Sequence, residues 1–249
     1  MDQHYVSPTA LSLFRSCRRC FWLDRNKKIK RPRGAFPTLP GGIDRVLKVY
    51  FDQHRSEGTL PEEIVEALPD GGEGTHLYSD MVKLKSMRNA LKPTLTTIIG
   101  NVKLVGGIDD LLVDAEGKVS PFDYKTKGSP INDDADPFLY YRMQINHYGL
   151  LLSESGIVIT GRGYLGYWSP LNVIIGENSS FYNDVTGLWM KCQVFSMDID
   201  LQSARDEVIA AGVCLDGQLP ESSKECEMCE FILKRESFIR DYPSWRIGK

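Results

Sequence analysis

Apolar residues recur along this chain in two rhythms, and the change from one to the other divides it. From Ser7 to Arg25, Leu11, Phe14, Phe21 and Trp22 keep helical spacing, with Ser7 placed as an N-cap and Pro8 in the first turn. A Pro- and Gly-rich stretch over 31–42 reads as a loop. Ile43, Val46, Leu47 and Tyr50 then predict a helix over 42–58 with one buried face, and a further helix is predicted over 79–92, ended by Pro93. From there the period shortens to two. Residues 101–127 read as two strand-like runs joined at the tight turn Asp114–Lys118. A helix is predicted over 137–154, with Pro137 in its first turn and Gly156 just past its end. Strands over 157–168, 171–176 and 187–197 and a helix over 200–215 complete the pattern. This order fits an α/β fold, a mixed central sheet flanked by helices with a helical N-terminal region. No linker cuts the chain, so we expect one domain over 1–249: a helical region to about residue 93, a core over about 94–200 and a C-terminal tail beyond.

Composition changes this picture little. Hydrophobic residues at 42% and charged residues at 25% describe an ordinary globular protein. The absence of any run of eighteen apolar residues argues against a membrane span. The first residues lack the basic-then-apolar order of a secretion signal, which predicts an intracellular, cytoplasmic chain.

Charge distribution changes it more. Between Arg15 and Arg33 nine basic residues face only Asp24, a local +8 in a chain whose net charge is −3, so the remainder carries −11. Such a patch suits a polyanion and releases counterions on meeting phosphate; it also suits a solvated basic helix end. Phe21 and Trp22 can stack on bases, although a Cys-Phe-Trp-Leu run more often packs in a core.

Six cysteines include two C-x2-C pairs, Cys17/Cys20 and Cys226/Cys229. In an intracellular protein such pairs point to metal rather than disulfides. Their separation is wrong for a local zinc ribbon, so a shared site would join the two ends of the chain. Closing a loop of that length removes chain entropy on the order of 5 kcal/mol. Cys192 and Cys214 stand alone and read as core or incidental.

The candidate chemistry lies in Ser120–Gly128. Period two puts Asp123, Lys125 and Lys127 on one face and Phe122, Tyr124 and Thr126 on the other. A salt-bridged surface strand would look the same. The preceding run ends in Gly-Gly-Ile-Asp-Asp, and a hairpin turning near 115–118 makes Asp109 a cross-strand neighbour of Asp123. Two carboxylates brought together favour a cation between them, and oxygen ligands suit magnesium or manganese. Lys125 then becomes a cation placed beside developing phosphate charge.

Gly106–Asp109 with Asp123-x-Lys125, followed on the next helix by Gln144 and Tyr148 four residues apart, resembles the ordered core of the PD-(D/E)xK phosphodiesterases, in their RecB-like branch. The opening helix and the two ends' cysteines resemble the iron–sulfur members of that branch, which include CRISPR-associated adaptation nucleases and AddB-type modules. The resemblance implies a metal-dependent DNA nuclease, exonuclease-type, on single-stranded or end-containing DNA. It implies Mg2+ or Mn2+ held by Asp109, Asp123 and the Tyr124 carbonyl, with Lys125, Gln144 and Tyr148 completing the catalytic set. It further implies a 4Fe-4S cluster on Cys17, Cys20, Cys226 and Cys229, with zinc the alternative.

Two departures stand out. The family's last C-terminal cysteine falls at Arg235, so Cys20 would replace it. Asp44 stands where the branch commonly has a histidine ligand, and is equally suited to favouring its helix dipole. Arg25, Lys27, Lys28 and Lys30 are the candidate DNA-contacting residues, and a CRISPR-adaptation or recombination complex is the partner class the resemblance suggests. The rival reading is a DNA-binding or assembly subunit that keeps the nuclease fold without activity.

Overall fold

The computed structural model describes residues 3–32, 38–89, 91–132, 134–171 and 190–241. The chain runs β1 (His4–Val6), α1 (Pro8–Ser16), α2 (Arg18–Lys27), α3 (Thr38–Glu57), α4 (Glu62–Ala67), a 3-10 turn (Pro69–Gly72), β2 (His76–Leu77) and α5 (Met81–Met87). It continues through β3 (Leu95–Ile99), β4 (Val102–Gly106), β5 (Asp110–Val113), β6 (Val119–Thr126), α6 (Arg142–Glu154), β7 (Arg162–Pro170), β8 (Met190–Asp198), α7 (Leu201–Asp216) and α8 (Glu227–Asp241). The strands form a three-stranded sheet, β1-β4-β3, and a five-stranded sheet, β2-β5-β6-β7-β8. The expected α/β architecture is present, with helices about mixed sheets.

The chain forms two compact units, Met1–Ala35 with Ile98–Leu104 and Asp206–Lys249, and Phe36–Thr97 with Val105–Arg205. In the first, Ser7 caps α1 by accepting from the Ala10 N–H at 3.2 Å, with Pro8 in the first turn, as its sequence predicts. The single helix expected over 7–25 is instead two. Cys17 takes an extended conformation (φ −164, ψ 111), ending α1 and starting α2. β1 runs parallel to β4, His4 opposite Val102. The Cys-Phe-Trp-Leu run packs inward: Phe21 is fully buried and Trp22 donates Nε1–H to the Gly217 carbonyl at 3.0 Å.

The second unit is built on the five-stranded sheet. β5 and β6 form the predicted hairpin, with Asp110 opposite Phe122. β6 runs parallel to β7, and β7 antiparallel to β8. One face packs on α3: Phe51 stacks on Tyr124 (centroids 4.8 Å) and meets Phe122 and Trp168 edgewise or tilted. Each such fully buried side chain stabilises by about 1.5–3 kcal/mol. The other face meets α6 closely, because a Cβ at Gly163 would sit 2.4 Å from Ile145 Cγ2. Only glycine lets that helix so near the sheet.

Several boundaries differ from expectation. The run before the hairpin breaks at Gly107–Asp109 into β4 and β5, which belong to different sheets. α6 starts at Arg142 rather than 137, since Asp136 accepts from the Phe138 N–H and residues 137–141 close turns instead. It ends as predicted, with Gly156 at φ +77. α5 stops at Met87, well before Pro93. The predicted strand over 171–176 lies outside the described residues apart from Leu171, as does the start of that over 187–197. Strand β7 begins at Arg162, preceded by an isolated bridge from Ile159 to Val119.

Candidate active site

β6 turns its side chains as period two demands. Phe122 and Tyr124 enter the aromatic core, and Asp123 points the other way, beneath α6, where it is 1% exposed. Gln144 Nε2 lies 3.4 Å from Asp123 Oδ1 and also donates to the Tyr148 hydroxyl, so the pair four apart on α6 converges on this carboxylate. Lys125, two residues on, ion-pairs with Asp123 Oδ2 and lies over the Tyr141 ring at 4.5 Å. Lys127 lies beyond the end of β6 and is exposed. Beside Lys125 a cleft of about 340 Å³ opens between Asp44, Gly41, Thr126 and Tyr141.

The two consecutive aspartates part company. Asp109, just before β5, extends the register and lies beside Asp123; its Oδ2 accepts the Tyr124 N–H at 3.2 Å. Asp110 faces the opposite side and is fully buried. There it accepts from Arg55, from Arg88 at 2.9 Å and from the Tyr124 hydroxyl. Arg88 also donates Nε–H to the Asp109 carbonyl at 2.6 Å and pairs with Asp52 at 2.9 Å. This buried network fixes the turn that presents Asp109. A sequence reading of catalytic residues passes over it, because Arg55 on α3 and Arg88 at the C-cap of α5 lie far from the motif.

The electrostatics suit a cation. Burial is the largest influence on Asp123 and lifts its carboxyl from the ordinary 3.8 to about 7, with Lys125 pulling against it and Asp109 adding to it. Burial would depress the Lys125 ammonium, yet Asp123 outweighs it and the net shift is upward, so Lys125 is charged at neutral pH. Burial, helped by the Asp123 charge, holds the Tyr148 hydroxyl protonated well above its usual range. Asp123 Oδ2 is buried and faces Lys125 without a hydrogen bond of ordinary geometry. A buried oxygen short of donors, beside a second carboxylate, is the donor set a hard divalent ion requires.

Lys48 had no place in the motif. From α3 it reaches Asp109 at 3.0 Å and Asp44 at 2.8 Å, bridging the two with its ammonium. Asp44 is thereby brought to the same site as Asp109. The signal in the sequence was the i, i+4 pair Asp44/Lys48, indistinguishable from any surface helix pair.

The cysteines also gather. Cys17 and Cys20 meet Cys226 and Cys229, with all four sulfurs within 4.8 Å of one another and each residue buried. Burial raises the Cys17 thiol, but hydrogen bonds from the Ser223 and Cys20 backbone outweigh it and bring it down to about 6. Arg31 donates Nη2–H to Cys226 Sγ at 3.2 Å, a contact no spacing rule announces. Arg235 is exposed on α8, and the set closes without a cysteine there.

The basic segment is partly spent within its own unit. Arg15 pairs with Glu207 at 2.8 Å, Arg25 with Asp24 at 2.5 Å, and Arg31 with the cysteines; Arg33 lies outside the described residues. Lys27, Lys28 and Lys30 are exposed. Among the described residues no helix is long and apolar enough to cross a membrane.

Curated proteins gave no match to the chain. A solved structure titled "Crystal structure of SSO0001" is similar at 15% identity over 94% of this chain and 86% of that one, with a TM-score of 0.37. The family model for the PD-(D/E)XK nuclease superfamily matches residues 5–232, and the chain belongs to that superfamily.

Proposed function

We propose that the protein is a metal-dependent deoxyribonuclease acting as a single nuclease domain, of exonuclease type, on single-stranded or end-containing DNA. The observation that carries this is the convergence of Asp109, Asp123 and Lys125, with Lys125 and Asp44 lining a cleft and Gln144 and Tyr148 on the helix above. Asp109, Asp123 and the Tyr124 carbonyl would hold Mg2+ or Mn2+, with Asp44 the further carboxylate in reach. The ion supplies Lewis acidity and a nucleophilic water near neutral pH. Lys125, charged and nearly buried, stabilises negative charge growing on the phosphate in the transition state. Gln144 and Tyr148, both able to donate, orient the strand and hold the Asp123 carboxylate. Lys48 screens Asp44 from Asp109 and offers a second cation to the phosphate. The four cysteines form a separate thiolate set able to hold a structural metal.

The test is cleavage of labelled DNA with Mg2+ or Mn2+. Lys125→Ala should lower the rate by about 10²–10³-fold, and Asp123→Ala should abolish it, both with DNA binding retained. Cleavage by Lys125→Ala at the wild-type rate would remove the assignment, and metal-independent binding without cleavage by the wild type would favour a DNA-binding subunit. Neutralising Lys27, Lys28 and Lys30 together with Arg25 should flatten the salt dependence of binding by up to about four ions' worth. An unchanged slope would place the contact surface elsewhere.

A further inference from the structure

The resemblance to iron–sulfur nucleases implies a cubane cluster on the four cysteines, and the four sulfurs are spaced too closely for one. Cys20 Sγ lies 3.5 Å from Cys229 Sγ and 3.7 Å from Cys226 Sγ, and Cys17 Sγ lies 3.9 Å from Cys229 Sγ. Four thiolates about 2.3 Å from a central ion stand about 3.8 Å apart along each tetrahedral edge. In a cubane each thiolate instead binds a separate iron at an outer corner of an iron–sulfide cube, so the sulfurs stand much farther apart.

The backbone explains why this spacing is fixed. Cys17 caps α2 and Cys20 lies in its first turn; Cys226 immediately precedes α8 and Cys229 lies in its first turn. Both pairs make the same opening bond, Phe21 N–H to the Cys17 carbonyl and Glu230 N–H to the Cys226 carbonyl, each 3.0 Å. Two like helix starts therefore face each other, each contributing two thiolates from a rigid first turn. Their N-terminal dipoles favour the negative charge gathered there. All four residues are under 9% exposed, so the shell is closed, as in structural rather than catalytic zinc sites.

Charge supports the same occupant. Four thiolates around one divalent ion leave two negative charges in a buried place. Arg31 stands against them, donating to Cys226 Sγ at 3.2 Å and with its Nε buried.

We propose that Cys17, Cys20, Cys226 and Cys229 hold a single tetrahedral divalent ion, zinc, in place of an iron–sulfur cluster, and that Arg31 is its charge-balancing outer partner. This does not rest on the nuclease reading. The site is redox-silent, so the protein is colourless and indifferent to air.

Protein expressed with both iron and zinc supplied, and purified anaerobically, should contain about one zinc per chain, negligible iron and no broad visible band. Replacing the zinc with Co2+ should give the intense visible bands of a tetrahedral tetrathiolate site. About four irons with a brown absorbance would overturn the proposal, and so would protein holding neither metal. Arg31→Gln should lose zinc to a competing chelator at about 10–100-fold lower chelator concentration than the wild type, with Arg31→Lys between them. An unchanged chelator curve for Arg31→Gln would remove the role given to Arg31 and leave the metal identity to the analysis above.

Discussion

The carboxylate site and the cysteine site both gather side chains able to hold a metal, yet they are built in opposite ways. The cysteines come from two repeats of one local device, a C-x2-C at a helix start, and the spacing within each pair is set by a single turn. The carboxylates come from neighbouring strands, and their approach depends on sheet register and on a buried network behind them. One site is closed, soft and uniformly buried. The other is hard, and its members range from fully buried Asp123 to the partly exposed Asp109, beside a cleft. The difference teaches that a closed thiolate set can be specified by one local turn at each end, whereas two like charges need a strand pair in register and a buried network behind it to be held together.

The strongest way to break that comparison is to remove each metal alone. Cys226→Ser should empty the cysteine site and cost stability on the order of 5 kcal/mol, the entropy of the long loop it closes. Melting temperature and solubility should fall, while cleavage per folded molecule stays near normal. Brief EDTA at neutral pH should do the converse, ending cleavage with the melting temperature almost unmoved. If EDTA alone melts the protein, the two sites do not divide structure from chemistry.

A finer cut separates Asp109 from Asp110. Asp110→Ala removes the one fully buried carboxylate that Arg55, Arg88 and the Tyr124 hydroxyl share, leaving the two arginines only Asp52, and should destabilise by about 3–5 kcal/mol in urea unfolding. Asp109→Ala should abolish cleavage and leave the urea midpoint within experimental scatter. Equal stability losses in both would mean that the pair does not split between site and scaffold.

The smallest expected effect is on pH. Because Asp123 keeps its proton to about 7 without metal, proton and metal compete. Mn2+ affinity measured calorimetrically should fall about tenfold per unit below pH 7 and level off above it. The sign for stability runs the other way from a paired carboxylate. With the folded value above the unfolded one, the stability Asp123 contributes in metal-free protein is fully present below about pH 4 and is lost as pH rises to about 7. A metal affinity flat from pH 6 to 8 would contradict the buried, proton-holding state of Asp123.

Much of this was legible along the chain because it is local. The Ser7 cap, the glycine end of α6, the β5–β6 hairpin and the Gln144/Tyr148 spacing all follow from short-range geometry, and the structure has each of them. The break at Cys17 was not legible, since Leu11, Phe14 and Phe21 continue a helical pattern across it and only the closing of the cysteine set demands the kink. Strands β1 and β2 were missed for want of enough residues to display an alternation, and β3 because Leu95–Ile99 does not alternate apolar with polar. Lys48 and Arg31 were hidden for another reason. Each acts on residues brought near only by the fold, and a lone basic side chain carries no mark of the partner it will find.

The three separated stretches of the first unit have a consequence for the order in which the protein is made. Helices α1 and α2 leave the ribosome carrying half of the proposed metal site, and the other half, on α8, follows only after the second unit's last segment. All of the second unit's segments are synthesised in between. Chain elongation therefore sets a sequence of events in which the second unit can fold as it emerges, while capture of a metal by the four cysteines waits until α8 has been made. Until then Cys17 and Cys20 remain open to oxidants and to the wrong ion, so a nascent chain stalled before Cys226 should be the form most vulnerable to both.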